Sequence, residues 1–88
     1  MKTAKDITER SIEMITTHQI KTINYLVICI NEFADRFAID TKTAYRFLSK
    51  YGGISFLLEH YEIEHTLSLD EAIDDLVAIC SLNGGVIQ

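Results

Sequence analysis

The stretch from His18 to Phe37 constrains the fold more than any other part of this chain. Ile23, Leu26, Ile30, Phe33 and Phe37 recur at a 3-4-3-4 spacing, and Ile20, Val27 and Ala34 repeat every seven residues beside them. Apolar residues at that period line one broad side of an α-helix. Such a helix must lay that side against other elements. Glu32 and Arg36 stand four apart, placed for an ion pair on its wet side. The chain contains no proline, so no helical hydrogen bond is lost to a missing donor.

Four further segments read as helical. Asp6 to Thr16 carries Ile7, Met14 and Ile15 as apolar residues, but Ile15-Thr16-Thr17-His18 has weak helix propensity because β-branched side chains lose rotamer freedom there. Whether this segment is separate from the next helix or runs into it stays open. Thr41 to Tyr51 has Asp40 or Thr41 as its cap, an apolar side of Ala44, Tyr45, Phe47 and Leu48, and Gly52 to end it in a left-handed conformation. Ile54 to about Tyr61 places Ile54, Leu57, Leu58 and Tyr61 on one face, and Glu62-Ile63-Glu64-His65 then alternates in period two with no clear state. The last helix opens on the capping box Ser68-Leu69-Asp70-Glu71, lines Leu69, Ala72, Ile73, Leu76 and Cys80 on one side, and closes at Asn83-Gly84-Gly85. The expectation is an all-α fold, a small bundle of four to five short helices packed as antiparallel neighbours in a single helical domain over residues 1–88.

A domain of 88 residues buries only about 60% of the surface its unfolded chain exposes. With 48% of residues hydrophobic, the apolar supply exceeds what one small core hides, so a homodimer or a bound partner is expected. The longest apolar run, Tyr25 to Ile30, is far short of the roughly 20 residues that cross a bilayer. With no cleavable apolar leader in view, a cytoplasmic protein without a membrane segment is expected. Cys29 and Cys80 sit among apolar neighbours and read as buried, reduced thiols.

Charge divides the chain in two. Residues 1–50 hold all eight lysines and arginines against six acids, a balance of +2; residues 51–88 hold seven acids and no lysine or arginine, a balance of −7. The acidic half suits a basic partner. Glu59, Glu62, Glu64, Asp70, Asp74 and Asp75 are the candidate partner-binding charges, with Tyr45 and Tyr61 as aromatic anchors. The alternative lies between Phe33 and Leu48, whose layout resembles a helix-turn-helix. Lys42, Thr43, Arg46 and Lys50 would then face DNA, and Lys42, Arg46 and Lys50 form one cationic stripe at i, i+4 and i+8. An acid folded back from downstream, Glu59, Asp74 or Asp75, could answer that stripe instead, and a net charge of −5 is a poor start for binding phosphates.

Chemistry beyond binding finds little support. His60 and Glu64 would share a helix face, but His65 would point about 140° away from His60, and the spacing fits no zinc signature. No metal or cofactor site is expected. There is no Gly-rich phosphate loop, no nucleophile elbow and no cysteine beside a base, so no catalytic residues are assigned and the protein is read as a non-enzyme.

From Tyr25 onward the chain resembles a bacterial family known as domain of unknown function 3791. The likeness is carried by Ile30-Asn31-Glu32-Phe33-Ala34, by Ala44-Tyr45 with Leu48 and Tyr51-Gly52, by Phe56-Leu57-Leu58-Glu59-His60-Tyr61 leading to His65-Thr66, and by Asp74-Asp75 and Asn83-Gly84-Gly85. It covers a family-like core of residues 21–85 and leaves 1–20 as an N-terminal helical extension. The resemblance implies a small helical domain with no assigned activity. It also implies neighbours resembling ADP-ribosyltransferase toxins, hence an antitoxin-like or toxin-accessory role. No site residues come with it. The expected function is therefore a protein–protein interaction module, with a DNA binder and a structural homodimer as alternatives.

Overall fold

In a computed structural model of the chain, the backbone is described for residues 3–86 and side chains for residues 18–86. Five helices follow one another: α1 (Thr3–Phe37), α2 (Thr41–Lys50), α3 (Gly53–Glu59), α4 (Tyr61–Glu64) and α5 (Leu69–Leu82). The all-helical expectation holds, and among the described residues there is no strand. The first two expected helices are one. At 35 residues α1 is about 52 Å long by helical rise, and it sets the long axis of a molecule measuring 59 × 24 × 21 Å. The apolar positions expected between Asp6 and Thr16 have side chains outside the described residues.

The core gathers against the C-terminal half of α1. Cys29, Ile30, Phe33 and Ala34 meet Ala44 and Leu48 of α2, Leu57 of α3, and Ile73, Leu76 and Cys80 of α5, all buried. Phe33 packs with Phe37 at 4.8 Å and with Phe47 at 5.8 Å between ring centroids, and Phe47 meets Tyr51 at 4.9 Å. Both cysteines are buried and unbridged. Burial pushes both thiols above their ordinary pKa, which keeps them protonated.

The apolar stripe of α1 differs from expectation in one respect. Ile20, Ile23 and Val27 belong to it by period, yet they are 50%, 55% and 47% exposed. α2 and α5 cover only the lower part of the helix, so the stripe outlasts its cover. Among the described residues, Thr22 and Cys29 are the buried ones above Ile30, and Thr22 hides its hydroxyl by donating to the His18 carbonyl at 3.0 Å.

Local chemistry sets the helix ends. α1 stops in a Schellman turn: the Ile39 N–H donates to the Ala34 carbonyl at 3.0 Å, the Ala38 N–H to that of Asp35 at 3.3 Å, and Ala38 is left-handed at φ 55°. Asp40 then caps α2, accepting from the Thr43 N–H at 2.7 Å. That bond holds the Asp40 carboxyl below its ordinary pKa. Gly52, at φ 84°, turns the chain into α3. Ser68 caps α5 as expected, accepting from the Glu71 N–H at 3.1 Å and donating to its carboxylate at 3.1 Å. Asn83 ties the far end of α5 to the end of α2 by donating to the Tyr51 carbonyl at 2.8 Å.

The expected Glu32–Arg36 pair is replaced by one across the bundle. Arg36, in the last turn of α1, reaches Asp74 at 2.6 Å and Asp70 at 3.4 Å. Asp70 and Asp74 stand one turn apart at the start of α5, so one planar guanidinium spans both. Both carboxylates are mostly exposed, which keeps the pairing weak.

Two substitutions check this account by chemical denaturation. Ala38→Gly removes the left-handed penalty and is expected to raise stability by about 1 kcal/mol. Arg36→Gln is expected to cost less than about 1 kcal/mol, with the loss shrinking as salt is added.

Candidate functional site

The six acids grouped by sequence have four different fates. Asp70 and Asp74 are engaged by Arg36. Glu64 is only 4% exposed, so it cannot meet a partner from the surface. Asp75 is half-buried, within hydrogen-bonding reach of Glu64. Glu59 and Glu62 alone combine exposure with freedom from any cation among the described residues. Glu59 has only the His60 ring nearby, at 3.9 Å. Sequence polarity misleads in α4, where Ile63 is 64% exposed and Glu64 is inside. The reason is local: a single helical turn between α3 and α5 can bury one position, and the connection turns that position to α1.

Glu59 and Glu62 border a groove of about 530 Å³ between the upper part of α1 and the α3–α4 junction. His18, Gln19, Thr22 and Ile23 form one wall, and Leu58, Glu59, Tyr61 and Glu62 the other. Ile23 and the equally exposed Leu58 thus face one groove. Ile20 and Val27 continue the apolar surface along α1, one turn to either side of Ile23. The groove therefore has an apolar track with two carboxylates on one rim.

Tyr61 forms part of that wall and is held firmly. Its ring meets Tyr25 edge-on at 5.5 Å and His18 edge-on at 6.1 Å, and stacks on His65 at 4.6 Å. His65 Nδ1 lies 2.6 Å from the Tyr61 carbonyl, so a proton on that nitrogen makes the bond. The pair closes α4 and fixes the tyrosine. The other expected anchor, Tyr45, is exposed on α2 and does not line the groove.

The cationic stripe also lies on α2. Lys42, Thr43, Arg46 and Lys50 are all exposed. The acids expected to fold back onto them do not pair with them among the described residues: Asp74 goes to Arg36, Asp75 turns to Glu64 and Glu59 lies beside His60. Lys50 instead holds its ammonium 5.3 Å from the Tyr51 ring centre.

A second hollow, of about 190 Å³, is walled by Phe33, Phe37, Phe47, Val77, Cys80 and Val86 among others. It is too small for an ordinary small-molecule site. No group of three or more histidine, cysteine or acidic residues that could hold a metal ion occurs among the described residues. No helix of the described residues is long and apolar enough to cross a membrane.

The groove was partly legible in the sequence. Glu59, Glu62 and Tyr61 were singled out by charge and by aromatic character. Ile20, Ile23 and Val27 read as part of the buried stripe of α1, and Leu58 as part of the apolar face of the Ile54–Tyr61 helix. The signal that could have separated them is length, since α1 is far longer than any helix available to cover it.

Neither the curated proteins nor the solved structures provide a match to this chain. The family model for a protein of unknown function (DUF3791) matches residues 24–82, which takes in the lower half of α1 and every later helix. The chain belongs to the DUF3791 family.

Proposed function

We propose that this protein is a non-enzymatic interaction module that docks a basic, amphipathic segment of a protein partner in the groove between α1 and the α3–α4 junction. The observation that supports this best is the uncovered run of Ile20, Ile23 and Val27 on α1, whose middle member Ile23 lines the groove with Leu58. A contiguous apolar surface left open on so small a domain marks an interaction site. Its shape suits a helix whose own apolar face lies in the track. Glu59 and Glu62 on the rim select for cations beside that face, setting on-rate and specificity more than affinity. An antitoxin-like or accessory role agrees with such a surface, since masking a basic site requires carboxylates and an apolar anchor together.

The DNA-binding reading keeps one favourable observation, the exposed stripe Lys42, Arg46 and Lys50 with no acid paired to it among the described residues. Against it stand only three cations and a net charge of −5.

Affinity capture from the native host, at low salt, tests the docking reading. Wild-type chain is expected to retain a stoichiometric basic partner, Ile23→Asp to lose it, and Glu59→Lys with Glu62→Lys to weaken it at least tenfold. Arg46→Ala is expected to leave it unchanged. Recovery of wild-type chain alone as a monomer contradicts the proposal. Twice the monomer mass by light scattering, abolished by Ile23→Asp, assigns the groove to a second copy instead.

A further inference from the structure

Among the described residues, the buried polar atoms that lack partners lie in one place. Glu64 Oε1, from α4, meets no hydrogen-bond donor, and neither does the buried Tyr25 hydroxyl from α1 find a partner of good geometry. Around them stand Cys29 of α1, whose thiol lies beside the Tyr25 hydroxyl, and Asp75 of α5, whose carboxyl reaches Glu64. α3 has one charged residue, Glu59, which is exposed and lies by His60. The charge of α4 besides Glu64 is Glu62, also exposed. No lysine or arginine pairs with Glu64 or Asp75 among the described residues, since Arg36 goes to Asp70 and Asp74.

Between His60 and Ser68, Glu64 is the one buried residue. Beside the half-buried ring of Tyr61, a carboxyl group therefore does anchoring that an apolar side chain does elsewhere. Two adjacent carboxylates at a partly dry site cannot both stay charged. Burial, and then the neighbouring Asp75, push Glu64 up to about 7. A single proton turns the repulsion into a bond: the neutral Glu64 carboxyl donates and the Asp75 carboxylate accepts.

We propose that Glu64 and Asp75 share one proton, and that this proton is a pH-sensitive latch fastening α4 to α1 and α5. When the proton leaves, an unpaired buried carboxylate remains, and the simplest relief is for the α4 turn to swing out and hydrate it. Ile63 is already at the surface and Glu62 is in water, so on this turn only the packed ring of Tyr61 holds against that movement. Tyr61 and Glu62 form part of the groove wall. That the latch also shapes the docking groove rests on the docking reading above; the latch itself does not.

The sign of the pH dependence follows from the raised pKa. Between the ordinary carboxylate range and about 7, folded Glu64 keeps a proton that the unfolded chain has lost. Stability from this pair is therefore complete at the acidic end and falls as the pH rises toward and through 7. One proton of difference changes the unfolding constant by up to about tenfold per pH unit.

Urea unfolding of the full chain from pH 5 to pH 8 tests the latch without any partner. Wild type is expected to lose stability across that range. Glu64→Gln, whose amide can donate to Asp75 at every pH, is expected to lack that loss and to exceed wild type at pH 8. The three histidines are common to both proteins, so the difference isolates the pair. Parallel curves overturn the proposal. Should the variant fail to fold, carbon-detected NMR titration of the wild-type Glu64 carboxyl decides: a midpoint near 7 supports the latch, and one below 5 overturns it. Failure here leaves the docking reading intact, and loss of the docking reading leaves the latch intact.

Discussion

Everything in this fold depends on how α1 is covered. One long helix offers a continuous apolar stripe, and three much shorter helices supply the matching surface. They crowd against Phe33, Ala34, Ile30 and Cys29, where the aromatic rings of α1 and α2 interlock. Above that level the helix continues and the cover does not. A small domain has little core with which to stabilise itself, and leaving three aliphatic side chains half in water costs it further burial. That cost fits the docking surface proposed above.

Electrostatics complete the division of labour. The acidic half of the chain is one block in the sequence and four separate jobs in the structure. Asp70 and Asp74 clasp the end of α1 through Arg36. Glu71 completes the α5 cap with Ser68. Glu64 and Asp75 form an inward pair. What remains facing solvent without such a task is Glu59 and Glu62, on the groove rim. A net charge therefore overstates the negative surface on offer to a partner, and the place of the carboxylates matters more than their number.

Much of the fold was legible before any coordinates. Period and caps located α2, α3 and α5 to within a residue or two, because Asp40, Gly52 and Ser68 act on the backbone over a few bonds. The continuity of α1 was not legible, because local propensity at Ile15-Thr16-Thr17 is weak and cannot report that a helix is carried through it. The burial of Glu64 was hidden for a different reason. The period-two alternation of Glu62 to His65 gives no clear state, and only the path between α3 and α5 puts Glu64 inside and Ile63 out. Ala38 in a left-handed turn was equally invisible, since an alanine there is held by the Schellman bonds around it. In the candidate site the charges were found and the apolar track was missed, because the same stripe is core from Ile30 downward and surface at Ile20, Ile23 and Val27.

The central claim is that the upper α1 stripe and the α3–α4 junction form one surface that a partner covers. Hydrogen–deuterium exchange, on the chain alone and in its purified complex, reads this most directly. Slowed exchange confined to residues 18–27 and 58–62, with α2 unchanged, is the result the account predicts. Protection along Lys42 to Lys50 with the groove unaltered would contradict it.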